Sequence, residues 1–414
     1  MPSATPSETP RHTPPVIPDG RPYFDFFDPT TVPSPCFVVD LAAVEHNLRI
    51  LREVADEAGA TMLLALKAFA LPGAFPLIRT YLDGVCASGV YEARLGREEI
   101  APLPGQSDTF HVHTYAPAYT EAGLSEVVRL SDHVIFNSFT QWQRLRHRCP
   151  PGAAHYGLRI NPEHSTGTTP LYDPCAPGSR LGITAGELAS QMGSSGDLAG
   201  ISELHLHTLC EAHAQALEDT MTAVEERFGH LLKREEIRYL NIGGGHHITR
   251  PDYRRDQLID TIQRLQATYN VQVIMEPGEA AAIHSGILVA TVLDLPRNTI
   301  DLAVLDTSAT AHMPDTLEMP YTAHIWGTRE HAPCRYRLGG QTCLAGDVMG
   351  DYHFTEPLSI GDRVVFDDMS HYTMVKTTTF NGIPLPAIAL WDSRAGDLQV
   401  VREPQYEDFR APLG

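Results

Sequence analysis

No run of about 18 apolar residues occurs in the 414-residue chain, so no membrane-spanning helix is expected. The first residues lack the basic-then-apolar order of a secretory signal, and no membrane partner is expected. The seven cysteines are scattered, odd in number and without a CxxC pair. That argues against a disulfide scaffold or a zinc knuckle and fits a reducing, cytoplasmic setting. Basic residues are outnumbered, 31 Lys and Arg against 51 Asp and Glu, for a formal net charge of −20. This balance disfavours nucleic acid and suits a cationic substrate, although ordinary solubility accounts for it equally well. The GxGxxG fingerprint, the P-loop lysine and the HExxH metal helix are all missing.

What is present is a globular composition, 43% apolar and 20% charged, long enough for a barrel plus an appended domain. Residues 1–30, rich in Pro, Ser and Thr, read as a disordered leader. Residues 31–40 hold a short strand expected to join a later β domain. The next segment, 41–58, spaces Val44, Leu48, Leu51, Val54 and Ala55 as a helix does. Strand-like runs then follow at 61–67, 84–88, 108–115, 132–138, 155–161, 201–208, 238–243 and 272–278. Helix-like segments lie between most of them, at 75–82, 91–100, 120–130, 139–148, 184–192, 213–228 and 253–269. Eight strands with intervening helices make a (β/α)8 TIM barrel over 41–285, with a doubly wound open sheet as the alternative. The chemically unusual residues favour the barrel, because they gather at strand C-termini, the face that carries barrel active sites. They are Lys67, Ser88, His113, Asn137, Asn161, His207, Gly243–Gly245 and Glu276. Beyond 285 the pattern is β-rich, with runs at 286–295, 300–306, 335–338, 343–349, 363–368, 371–380 and 387–391. These define a C-terminal β-barrel or sandwich domain over 286–414.

Lys67 closes the apolar run Met62–Leu66. Such a lysine either snorkels to water or, partly desolvated, attacks an aldehyde to form a Schiff base. Gly243, Gly244 and Gly245 follow a strand, where bare backbone can approach a phosphate or simply turn tightly. Glu276 ends the eighth run, placed to hold a pyridinium nitrogen protonated or to cap a helix. His205 and His207 share one strand face, and a metal pair there, with His246, His247 or His113, is conceivable. Their spacing is not that of a helical metal site, and the reading takes no metal. His207 is instead assigned to stack on a flat cofactor. Cys343, in a glycine-rich loop, is either a proton donor or a small buried residue.

Several stretches together resemble the alanine-racemase-like, fold type III pyridoxal-phosphate decarboxylases, in particular the subgroup acting on carboxylated polyamines. They include Leu64-Ala-Leu-Lys67-Ala-Phe-Ala70, Glu92-Ala-Arg-Leu-Gly-Arg-Glu98, Asp173-Pro-Cys-Ala-Pro-Gly-Ser-Arg-Leu-Gly182, His207-Thr-Leu-Cys-Glu211, Gly243-Gly-Gly-His-His-Ile-Thr249 and Asp306-Thr-Ser-Ala-Thr-Ala-His-Met-Pro-Asp315. The resemblance spans about Pro35 to Trp391. It implies pyridoxal 5'-phosphate on Lys67, ring stacking by His207, phosphate binding by the three glycines with Tyr372 nearby, and Glu276 at the pyridine nitrogen. It also implies a homodimer with shared sites, in which Cys343 reaches in from the partner subunit to protonate the carbanion. Asp347 would lie near the substrate amine. Diaminopimelate- or ornithine-type decarboxylation, or a non-catalytic cofactor-binding role, is the alternative. Two departures stand out. Where ornithine and diaminopimelate decarboxylases have Glu-Pro-Gly-Arg, this chain has Glu279, an acid that would attract a polyamine's internal amine, with Asp315 and Glu318 as further acids for the same chain. Where relatives have His-x-Gly-Ser, it has His207-Thr-Leu-Cys210.

Overall fold

The computed structural model describes residues 24, 26–100, 110–166, 173–193, 197–319 and 321–414. Residues 1–23 and 25 of the expected leader therefore lie outside the described residues. Phe24 and Phe27, by contrast, are buried against Trp326 and Trp391, with ring centroids 5.9 and 5.5 Å apart. The chain forms two compact units, one of Glu45–Ala281 and one joining the chain up to Val44 to Ala282–Gly414.

The first unit is a closed barrel of eight parallel strands. In chain order they are Thr61–Ala65, Gly84–Ala87, His111–Tyr115, His133–Phe136, His155–Arg159, Ile201–His205, Tyr239–Asn241 and Gln272–Met275. Closure pairs Thr61 with Ile274 and Met62 with Met275. Three of the helices between the strands begin where hydroxyl side chains cap them. Thr120 accepts from the Gly123 N–H, Ser138 from Gln141 and Thr184 from Glu187. Each such cap is worth about 1 kcal/mol.

Alternation along the third strand puts His111, His113 and Tyr115 on one face, and cross-barrel contacts show that this face points inward. His133 on the fourth strand reaches Glu203 on the sixth, and Tyr115 on the third stacks on His205 of the sixth. Neither pair belongs to neighbouring strands, so both cross the interior. This interior is polar along much of its length, whereas barrels usually fill it with branched aliphatics.

The second unit is a nine-stranded mixed sheet. Its main path runs Val348–Phe354, Cys334–Gly339, Ile300–Leu305, Gly286–Asp294, Cys36–Asp40, Ala387–Asp392 and Asp397–Arg402. Arg297–Asn298 and Arg363–Phe366 pair off this path. Cys36–Asp40 lies in the middle of the sheet, antiparallel to one neighbour and parallel to the other. The run expected at 371–380 is not a strand. Tyr372 has φ 52 and Met374–Lys376 form a 3-10 turn, which breaks extended backbone.

Candidate functional site

Lys67, Ser88, Asn137, Asn161, His207, Gly243 and Glu276 all lie just beyond the C-terminal ends of their barrel strands. His113 does not. It is the middle residue of its strand, and its ring stacks on that of His133, which begins the next strand. The expectation that it joins the C-terminal face is therefore corrected.

Lys67 Nζ lies 3.3 Å from His207 Nε2, and the Gly244 N–H donates to His207 Nδ1 at 2.9 Å. A nitrogen that accepts cannot carry the ring proton, so in the neutral ring that proton sits on Nε2. Burial holds the His207 imidazole well below its usual range, which keeps the ring neutral. Arg159, itself buried, donates to the His207 carbonyl oxygen at 2.9 Å and fixes the backbone there.

The triple glycine is required by close chain approach. A Cβ on Gly244 would sit 2.1 Å from the Glu276 carbonyl oxygen, and one on Gly245 2.0 Å from that of Leu209. Gly243 and Gly245 also adopt φ of 69° and 84°, which glycine takes without strain. The Gly243 N–H is committed to Asn241 Oδ1 and that of Gly244 to His207.

Glu276 is the buried charge of this face. Burial alone would raise its pKa, but His205 and Asn241 outweigh that and bring it down to about 2. Asn241 Nδ2 donates to Oε1 at 2.8 Å, and His205 Nε2 lies 3.4 Å from Oε2. A carboxylate's two oxygens offer about four lone-pair sites in all, so capacity remains for a further donor. Cys86 lies beside it, and burial followed by the Glu276 charge pushes its thiol well above the ordinary range.

The rim of this face is acidic. His247 lies 3.9 Å from Glu279 and 4.0 Å from Glu211. The Cys210 thiol is raised by burial and then by the charges of these same two acids. His246 plays a different part. It is buried, bonded to the Tyr253 hydroxyl at 3.2 Å, and burial brings its pKa to about 4.

The other named residues belong to the sheet unit. Cys343 is exposed, and its N–H donates to Asn381 Oδ1 at 2.7 Å. Asp347, expected near a substrate amine, is buried instead. It accepts from the Ser308 hydroxyl at 2.9 Å, the Thr342 hydroxyl at 2.6 Å, and the N–H groups of Thr310 and Thr342 at 3.2 Å. With its oxygens taken by these donors it anchors the loop that carries Cys343. Asp315 is paired with the Lys376 ammonium, which also lies 2.9 Å from Glu318. An internal cation thus holds both acids that the sequence suggested for a substrate.

Sequence reasoning passed over Tyr115 and Arg159. The Arg159 guanidinium lies 4.5 Å over the Tyr115 ring, and the Tyr115 hydroxyl donates to Asn137 at 2.7 Å. The available signal was position, because Tyr115 and Arg159 each close a barrel strand.

A lysine and a buried carboxylate thus stand on opposite sides of the closing seam of an eight-stranded barrel, at the face where barrel enzymes carry their sites. The chain belongs to the pyridoxal-dependent decarboxylases. The family model described as "Pyridoxal-dependent decarboxylase, C-terminal sheet domain" matches residues 36–370. The chain is 44% identical to the carboxyaminopropylagmatine decarboxylase of Synechocystis sp., over 93% of this chain and 96% of that protein. It is 40% identical to the carboxynorspermidine/carboxyspermidine decarboxylase of Campylobacter jejuni, over 91% and 98%. A crystal structure of C. jejuni carboxynorspermidine decarboxylase complexed with norspermidine superposes with TM-score 0.82 at 38% identity, covering 92% of this chain and all 100% of that one. Diaminopimelate decarboxylase from Helicobacter pylori shares the fold, with TM-score 0.75 at 16% identity over 92% and 96% of the two chains. Among the described residues no helix is long and apolar enough to cross a membrane.

Proposed function

We propose that the protein decarboxylates a carboxylated polyamine with pyridoxal 5'-phosphate held on Lys67. Carboxynorspermidine and carboxyspermidine, giving norspermidine and spermidine, are the substrates this reading names. Carboxyaminopropylagmatine is the second candidate, favoured by the 44% identity to an enzyme of that name. All three carry an amino-acid head, whose carboxyl group is lost, on a cationic amine chain.

The residues present fit the cofactor. Lys67 supplies the amine, His207 a flat neutral ring beside it, and Glu276 a buried anion. With the Gly243 and Gly244 N–H groups already committed, the phosphate-facing role in that run falls to Gly245, and Tyr372 keeps the phosphate-side role that the family resemblance implies. When bound, pyridoxal phosphate supplies the aldehyde for Lys67 and a ring that accepts the electron pair left by departing carbon dioxide. Glu276 holds a proton on the pyridine nitrogen. Lys67 releases the amine product. Cys343 of a second copy returns a proton to the carbon that lost carbon dioxide, which makes the working unit a homodimer with shared sites.

The observation that carries the substrate class is the acidic rim at Glu279 and Glu211. A carboxylate at 279 repels a substrate's second carboxylate and attracts its internal ammonium. Asp315 and Glu318 serve the chain only if Lys376 gives way. Carbon dioxide release from carboxynorspermidine, carboxyspermidine, carboxyaminopropylagmatine and diaminopimelate, each with added cofactor, is the test. Release from a carboxylated polyamine is the expected result, and the ratio among the three names the substrate. Release from diaminopimelate alone would refute the role given to Glu279. Mixing Lys67→Ala with Cys343→Ala protein tests the shared site: each heterodimer holds one intact site, so an equimolar mixture should recover activity toward about a quarter of wild type.

A further inference from the structure

The N-terminal half of the barrel interior holds imidazoles. His111 and His113 leave the third strand on its inward face, and His133 begins the fourth. One nitrogen from each ring lies within 4.8 Å of the other two. His133 Nδ1 is 2.5 Å from Glu203 Oε2, and Glu203 is wholly buried. A carboxylate that accepts a hydrogen bond from Nδ1–H fixes the tautomer and leaves Nε2 with its lone pair, the arrangement that backs histidines bound to metal. His113 Nδ1 is buried and has no hydrogen-bond partner among the described residues. A buried imidazole nitrogen without a partner is unfavourable unless something else satisfies it. A cavity of about 1230 Å³ reaches all three rings, and His155 and Arg238 also line it.

We propose that His111, His113 and His133 form a site for one divalent transition-metal ion of the zinc class, entered through this cavity. Three imidazoles with water in the fourth position make a nitrogen donor set that suits zinc, whereas magnesium and calcium select oxygen. Glu203 is a positioning residue, acting through His133. The His113 and His133 rings are stacked at 3.9 Å with 11° between their planes. Binding requires this stack to open, so that the nitrogens close to about 3.3 Å around a tetrahedral ion with bonds of about 2.0–2.1 Å. The ion would join the third and fourth strands at their N-terminal ends, the barrel face where residues serve stability. It is therefore expected to raise thermal stability and leave turnover unchanged. The site stands apart from the residues assigned to decarboxylation, and its test is independent of that reading.

The test uses full-length protein loaded with pyridoxal phosphate, treated with chelator, then dialysed against zinc sulfate or cobalt(II) chloride. The expected result is one ion retained per chain, the visible absorption of tetrahedral cobalt(II), and a zinc-dependent rise in Tm. His133→Ala should abolish retention. The half-exposed His111→Gln guards against a folding defect, and it should also lose the ion while keeping wild-type circular dichroism and turnover. Glu203→Gln should weaken binding 10- to 100-fold. No retention by the wild-type protein would overturn the site. Equal retention by wild type and both histidine variants would overturn it too, marking the metal as adventitious.

Discussion

Glu276→Gln tests the buried anion at the end of the eighth strand. Glutamine keeps the shape and an oxygen for Asn241 Nδ2 but does not ionise. The wild-type carboxyl, raised by burial and lowered more strongly by His205 and Asn241, falls from 4.5 to about 2. That difference corresponds to about 3 kcal/mol favouring the ionised form in the folded state. The folded pKa lies below the unfolded one, so this stabilisation is fully present above pH 4.5 and is lost as pH falls toward 2. At pH 3 about 2 kcal/mol of it should be gone. Urea unfolding of both proteins between pH 7 and pH 3 reads it directly: the gap between them should be widest at neutral pH and narrow on acidification. A gap independent of pH would refute the buried anion. In the decarboxylation assay at neutral pH, the same change removes the group assigned to hold the ring proton. kcat should fall by about 10²-fold or more, the scale of a lost proton-transfer group, with KM affected less.

Lys67→Ala should abolish both turnover and the absorbance of protein-linked pyridoxal phosphate; full activity would sink the assignment. Gly244→Ala places a methyl 2.1 Å from the Glu276 carbonyl oxygen. It should destabilise the barrel by about 1–3 kcal/mol in chemical denaturation and lower cofactor affinity. Asp347→Ala leaves the Ser308 and Thr342 donors unpaired, and should open the loop around Cys343 to limited proteolysis. Cys343 is exposed, so Cys343→Ala should leave Tm unchanged while slowing turnover or diverting the proton to the cofactor; unchanged kinetics and products would remove it from the mechanism.

The barrel was legible because eight strand-like runs alternate with helix-like segments at the count and spacing of a (β/α)8 fold. All eight strands lie within the expected runs. The sheet unit was less so, for reasons visible in its edges. Asp397–Arg402, the outermost strand, leaves almost every residue exposed and so carries no alternation to read. The run at 343–349 begins as a loop because Asp347 draws Ser308 and Thr342 to itself, and extended backbone starts only at Val348. Phe24 and Phe27 sit among polar and proline residues, so local composition hid their burial.

The histidines mark where residue-by-residue reading meets its limit. A period of two says that His111, His113 and Tyr115 share a face, but not that the face is the inside of a closed cylinder. Once the barrel closes, height along the axis decides what each residue does. Tyr115, at the C-terminal end, stacks on His205 at 5.5 Å and joins the network that reaches Glu276. His113, two residues earlier, stacks on His133 at 3.9 Å and belongs to the cluster backed by Glu203. One strand thus serves two polar regions, and a sequence cannot assign a histidine to either without the strand's direction and register. The sixth strand repeats the pattern, with Glu203 holding His133 and His205, two residues on, holding Glu276. Inward residues one pleat apart therefore belong to different chemistry, and a single polar interior supports a buried anion at one end and a nitrogen-rich cluster toward the other.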